Sequence, residues 1–238
     1  MTLYAQVEAA LVEQINTRWR VGDRLPSEEE LVLQFEVSRI TVRRAIQNLA
    51  VRGLVDVRQG VGTFVATPVI TQPLTELSGF VEDMHALGLD ASAEVVSVGT
   101  VSASRKVAAA LDVPLGAAVT FIERVRRAEG RAISFDQTYL VADVGACIAD
   151  DDLEGTPIFT LLERKYGVPL VEATYRMQAC LADSDTAAAL DMEVGDAVFR
   201  IERTTLTTAG RPVDYEILHY RGDAVIFETK LHRRVEVS

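Results

Sequence analysis

The chain has 238 residues, 48% of them hydrophobic and 25% charged, with a formal net charge of −11. That is enough chain to bury one or two cores, and it holds no run of about 18 apolar residues that would span a bilayer. The opening MTLYAQVEAALVEQ has no basic leader and carries acids within its apolar positions, so it is not read as a secretory signal and a cytoplasmic location is expected. Cys147 and Cys180 form no CxxC pattern and read as two buried, reduced thiols. The three histidines, His85, His219 and His232, have no metal-ligand spacing, so no metal is expected.

The negative charge is unevenly spread. Residues 1–66 set eight arginines and no lysine against eight acids, so the whole excess of acid falls after residue 66. Two segments with such different balances are expected to do different jobs.

Leu3 to Asn16 reads as a helix, with Leu3, Val7, Ala10, Leu11 and Ile15 at helical spacing. Pro26 ends any earlier helix. Ser27 with Glu30 three residues on is a capping box, which starts a second helix running to about Phe35. After the short turn at Glu36 and Val37, Ser38 caps a third helix lasting to about Arg52. On it Val42, Ala45, Ile46 and Leu49 share one face, while Ile40, Arg43, Arg44 and Gln47 share the other and Arg39 sits in the first turn. The helix itself carries no acid; Glu36 before it and Asp56 after it are the nearest along the chain. Arginine bonds the guanine edge bidentately and glutamine bonds adenine, and helix–turn–helix is the arrangement that seats such a face in the major groove. The plainer alternative is a surface helix with incidental arginines.

GLVDVRQGVGTFV then alternates apolar and polar residues on both sides of a turn in which Gly60 and Gly62 make positive φ cheap. A hairpin directly after a recognition helix is a wing, bringing Arg58, Gln59 and glycine N–H groups to phosphate or the minor groove. ATPVITQPL follows as an extended linker, stiffened by Pro68 and Pro73.

An internal repeat occupies the remainder. AAALDVPLGAAVTFIERVRRAEGR at 108–131 is echoed by AAALDMEVGDAVFRIERTTLTTAGR at 187–211, and each copy runs on into a strand, AISFDQTYL or PVDYEILHY. Two units of helix, strand, hairpin and strand can join into one antiparallel sheet flanked by helices, an α+β layout. Arg124 and Arg126 alternate on one strand and so share a face, with Asp136 on the partner strand. They form either a binding face or an ordinary salt bridge. Catalytic motifs are absent: there is no GxSxG, Walker loop, HExxH or dinucleotide turn, and no cofactor or enzymatic activity is expected. An enzyme, perhaps a lyase, that uses the winged segment for targeting remains the rival reading, and a regulator whose pocket has lost its ligand is a third.

The stretch LPSEEELVLQFEVSRITVRRAIQNLAVRGLVDVRQGVGTFV resembles the winged helix-turn-helix domain of GntR-type transcriptional regulators. Residues 76–238, with LSGFVEDMHALG, IERVRRAEGRAISFDQTYL and RTTLTTAGRPVDYEILHYRGD, resemble the UTRA effector domain of the HutC-like branch, related in fold to chorismate lyase. The resemblance implies a winged helix-turn-helix over 1–66, a linker over 67–75 and a UTRA domain beyond. It implies a homodimer on double-stranded, inverted-repeat operator DNA, a repressor modulated by a small-molecule effector and independent of membranes. It puts DNA contacts at Arg39, Arg43 and the wing glycine Gly60, to which the residues add Ser38, Thr41, Arg44, Gln47, Arg58 and Gly62. It implies effector contacts at Arg124 and Arg126, which hold a phosphate in phosphosugar sensors of the family, and at Asp136, Asp214 and Tyr220. Glu29 stands where many members carry a DNA-contacting arginine. Val81, beside Phe80, and Pro157 and Phe159 stand where those sensors carry hydroxyl residues. With three donors lost and both arginines kept, a heavily contacted phosphate is a poor fit. A small anion with a polar end near Asp136 and Asp214 is expected instead.

Overall fold

A computed structural model describes residues 2–66, 69–74 and 77–231. The linker residues Thr67, Pro68 and Thr75 and the histidine His232 lie outside them. The chain divides into two compact units: Met1–Val69 with Met84–Ala91 and Ala128–Arg131, and the remainder.

In the first unit, α1 (Leu3–Arg18), α2 (Glu28–Phe35) and α3 (Arg39–Val51) precede the hairpin of β1 (Val55–Arg58) and β2 (Gly62–Val65). The capping box forms as the sequence predicts: the Ser27 hydroxyl accepts from the Glu30 N–H while the Glu30 carboxylate accepts from the Ser27 N–H. Helix α2 ends at Glu36, a left-handed residue at φ 53°. Ser38 then caps α3 by accepting from the Thr41 N–H. Val7, Leu11 and Ile15 of α1 pack with Leu31, Val42, Ala45, Ile46 and Leu49 in one core closed by Leu54, Val55 and Val65. Leu3, expected on that apolar stripe, is exposed at the first turn of α1.

The second unit opens with β3 (Ile70–Pro73), so part of the stretch read as linker is a strand. It pairs in parallel with β10 (Val225–Glu228), the last strand among the described residues. Between them come α4 (Phe80–Ala86), β4 (Ala91–Ser102), α5 (Arg105–Leu111), β5 (Ala118–Ala128), β6 (Arg131–Val141), α6 (Ala142–Ile148), and α7 (Ile158–Thr160) continuing into a π-helical turn, Leu161–Lys165. There follow β7 (Leu170–Leu181), α8 (Ser184–Ala189), β8 (Ala197–Thr207) and β9 (Pro212–Arg221). The main sheet runs β4-β5-β6-β9-β8-β7. The two repeats meet at the antiparallel β6–β9 pair, with Asp136 opposite Leu218 and Thr138 opposite Glu216.

The repeated Leu-Asp has a local cause. Helix α5 stops at Asp112 (φ 52°), and Asp191 at the same place after α8 has φ 53°. Aspartate tolerates this left-handed conformation better than most residues because its short side chain bonds locally. Each repeat also gains a strand that the sequence reading left out, β4 before α5 and β7 before α8; both are sheet edges and largely exposed. Helices α5 and α6 and the α7 segment bury Val107, Leu111, Val144, Ile148, Phe159 and Leu162 with Ile122, Leu140 and Val213. Of the cysteines, Cys180 is half-buried, but Cys147 is exposed rather than buried as predicted, because it falls on the outer side of α6.

Candidate functional site

Helix α3 buries the face predicted and exposes Ile40, Arg43, Arg44 and Gln47 on the other. Its arginines nevertheless have acidic partners, and these come from α2 rather than from α3. Glu28 takes Arg43 through both carboxylate oxygens, at 3.1 Å to Nε and 3.1 Å to Nη2, and accepts from Arg39 Nε at 3.1 Å. Glu29, at the departing family position, lies 3.5 Å from Arg39 Nη2. Hydrogen bonding from Arg43, opposed by burial and reinforced by Arg39, holds the Glu28 carboxyl below its usual range. The expectation of unaccompanied positive charge is corrected here: adjacency along the chain could not reveal a partner brought in across the helix-turn-helix. Arg44 stacks over the Tyr4 ring at 4.9 Å, and the Ser38 and Thr41 hydroxyls lie 2.8 Å apart.

In the wing, Arg58 stacks over Phe64 at 4.5 Å and bonds Asp56 at 2.9 Å. Gly60 has φ 75° and Gly62 φ 144°. A Cβ at Gly62 would meet only the tip of the exposed Arg24 side chain, which can swing aside, so it is the positive φ that calls for glycine here. The resulting surface is a rigid helix with two guanidinium forks oriented by one carboxylate, next to a short hairpin tip.

The second unit gathers its charges on one face of the sheet. Arg124 and Arg126 (β5), Asp136 (β6), Asp214 and Glu216 (β9) and Arg203 (β8) are all buried. Arg126 Nε pairs with Asp136, Arg126 Nη2 lies 3.6 Å from Glu216, and Arg203 pairs with Glu216. Hydroxyls satisfy the acids further: Ser134 donates to Asp136 at 2.8 Å, Thr138 to Glu216 at 3.2 Å and Thr205 to Asp214 at 3.1 Å. Arg203 donates to the Tyr175 hydroxyl at 3.0 Å and lies under Phe159 at 4.5 Å. The salt-bridge alternative therefore holds for Arg126 and Asp136.

These groups front an open, narrow cleft of about 30 Å³. Of the residues expected to contact an effector, Phe80, Val81, Arg124, Arg126 and Phe159 line it, together with Pro157. Asp136, Asp214 and Tyr220 do not reach its surface; they lie behind it, fully buried. Arg203 and Glu216 do line it and are missing from the predicted set. The signal was present in the sequence, since IER at 122–124 recurs at 201–203. Burial and the neighbouring Arg126 push the Arg124 guanidinium down to about 10. Burial also raises Glu216, but Arg203, Arg126 and Arg124 outweigh it and hold that carboxyl below its ordinary value. Burial and the Glu216 charge drive Asp214 the other way, well above the carboxylate range. Burial raises Asp136 despite Arg126.

Comparison with known proteins agrees with this division. The pattern of bacterial regulatory proteins of the gntR family matches residues 3–65, and that of the UTRA domain matches residues 86–226. The chain is 32% identical over 236 residues to the HTH-type transcriptional regulator Rv0792c of Mycobacterium tuberculosis, covering 97% of this chain and 86% of that protein. It is 31% identical over 204 residues to the histidine utilization repressor of Pseudomonas putida, covering 85% and 82%. The crystal structure of PhnF from Mycobacterium smegmatis superposes with a TM-score of 0.68 at 29% identity, covering 95% of this chain and 99% of that one. A helix-turn-helix with an arginine-bearing face and a wing, a duplicated sheet with a charged cleft, and matches along nearly the whole chain place this protein in the GntR family of bacterial regulators, with a UTRA domain as its second part.

Proposed function

We propose that this regulator is a repressor that binds an inverted-repeat operator as a homodimer and loosens its grip when a small anionic metabolite fills the cleft. Residues 1–66 form the reading head, 67–75 the connection and 76–238 the sensing and dimerising part, acting in the cytoplasm. The observation that carries the reading is the pairing of an exposed α3 face, whose Arg39 and Arg43 are held by Glu28, with a cleft that buries Arg124. Arg39, Arg43, Arg44 and Gln47 reach base edges and phosphates; Ser38, Thr41, Arg58, Gly60 and Gly62 add phosphate contacts. A two-fold dimer is matched to a two-fold operator.

A change in head spacing that weakens DNA binding tenfold requires about 1.4 kcal/mol of coupling between the sites, and DNA must then weaken effector binding by the same factor. Selection of binders from a random duplex pool by the full chain tests this reading. Recovery of an inverted repeat whose half-sites lie about one helical turn apart is expected. Recovery of no sequence preference at low salt would refute it.

A further inference from the structure

We propose that β7 is the seam of the homodimer: two copies pair their β7 strands antiparallel about a two-fold axis at Thr174, so that Glu172 of each meets Arg176 of the other. This rests on the homodimer reading above and names the surface it uses.

The six-stranded sheet has two open edges, β4 and β7. An edge strand offers a row of unpaired N–H and C=O groups to another strand. Strand β7 runs from Leu170 to Leu181 and none of its residues is buried. Val171 is 56% exposed and Met177 39%, both large apolar side chains left open on this edge.

Its two charges have nothing to hold. Among the described residues the side chains of Glu172 and Arg176 have neither an ion-pair nor a hydrogen-bond partner. Arg176 lies directly opposite Glu202 on β8, but that carboxylate is taken by Lys106, Arg200 and Tyr215.

These charges select one register. Opposite charges directly across an antiparallel pair stabilise it and like charges destabilise it. With the axis at Thr174, Glu172 opposes Arg176 on both sides of the axis, and Val171 opposes Met177. With the axis at Glu172 or Arg176, a like pair sits at the centre. With the axis at Ala173 or Tyr175, both charges face neutral residues. The register shift between Leu170 and Glu172 closes the run at its end.

The other edge offers no such code. Strand β4 is uncharged from Val95 to Ser102, and its Val95 N–H is occupied by the Glu154 carboxylate at 3.0 Å. Joining β7 of one copy to β4 of the next would leave an open edge at each end and would not close. The β7 seam also touches the cleft. Tyr175, beside the axis, accepts from Arg203 at 3.0 Å, and Arg203 lines the cleft.

Sedimentation of the full chain over a concentration series tests the seam by charge reversal. The wild type is expected to be a dimer. Glu172→Arg and Arg176→Glu each set two like pairs in the seam and are expected to weaken dimerisation at least about tenfold. The double variant restores opposite pairs and is expected to return to within about threefold of the wild type. A second measurement needs no change of charge. In a Cys147→Ser, Cys180→Ser background, Thr174→Cys is expected to form an interchain disulfide on oxidation, because residues facing each other at the axis lie about 4.5–5.5 Å apart. Met177→Cys in the same background is expected not to, since its own counterpart is about six residues away along the strands.

A monomeric wild type overturns the homodimer reading and the seam with it. A wild-type dimer that neither single reversal weakens, or that Thr174→Cys fails to cross-link, overturns the seam and leaves the homodimer in place. Two weakened single variants without recovery in the double variant overturn the Thr174 register.

Discussion

Glu28 shows how one side chain shapes a reading surface. It holds Arg43 with two hydrogen bonds and Arg39 with a third, so both guanidiniums are fixed before any DNA arrives. An exposed ion pair of this kind contributes little to stability; its consequence is orientation and partial neutralisation. Arg43→Ala is expected to weaken binding to a selected operator by about tenfold or more, with dimerisation by light scattering unchanged. A variant that still footprints the same bases would remove Arg43 from the reading set. Glu28→Gln should instead tighten binding to non-operator duplex, because two positive charges lose their counter-charge, and anisotropy with a scrambled duplex reads that out. At this scale the sequence was legible where neighbours are local: the Ser27–Glu30 box and the buried face of α3 both follow from spacing. It was illegible where partners arrive through tertiary folding, as Glu28 does at Arg43, or where the clue lay in a repeat, as Arg203 does in the cleft.

At the scale of elements, the duplicated helix–strand–hairpin–strand unit explains most of the second domain. Its helix ends at an aspartate in both copies and its strands meet at β6–β9. Strands β4 and β7 escaped the sequence reading because edge strands with one ladder side open carry little apolar alternation; β4 is exposed through its last seven residues. Part of the expected linker is β3, which pairs with β10 in a separate two-stranded sheet, a partner more than 150 residues away in the chain and beyond any local pattern.

On the β8 strand Glu202 bonds Lys106 at 2.5 Å and Tyr215 at 3.1 Å and pairs with Arg200. Burial opposes its ionisation, yet the hydrogen bonds from Lys106 and Arg200 bring its carboxyl down to about 2 from an ordinary 4.5. The folded value lies below the unfolded one, so the stabilisation is complete above about pH 4.5 and is lost as pH falls towards 2. The whole shift corresponds to ~3 kcal/mol, an upper limit because Lys106 is half exposed and solvent-screened. Thermal melts of Glu202→Gln should show a flatter acid limb between pH 4.5 and 2 than the wild-type chain. An unchanged acid limb would mean that these contacts hold no such energy.

For the whole molecule, charge is unevenly divided along the chain. The first 66 residues balance their charges and concentrate arginine on one helix face, while the excess acid lies in the rest. On the proposed reading, acid outside the head discourages non-specific contact with DNA, and phosphate neutralisation falls to the arginines of α3 and the wing. The log of the binding constant should then fall linearly with log salt, with a slope of about −0.9 for each phosphate neutralised.

That dependence gives the most direct test of the central claim that α3 reads DNA. Anisotropy titrations of a selected operator, at several salt concentrations, would compare the full-length wild type with an Arg39→Ala, Arg43→Ala double variant. The account predicts that the double variant binds at least about a hundredfold more weakly and with a salt slope shallower by about two contacts. Equal affinity and equal slope for the two proteins would contradict it.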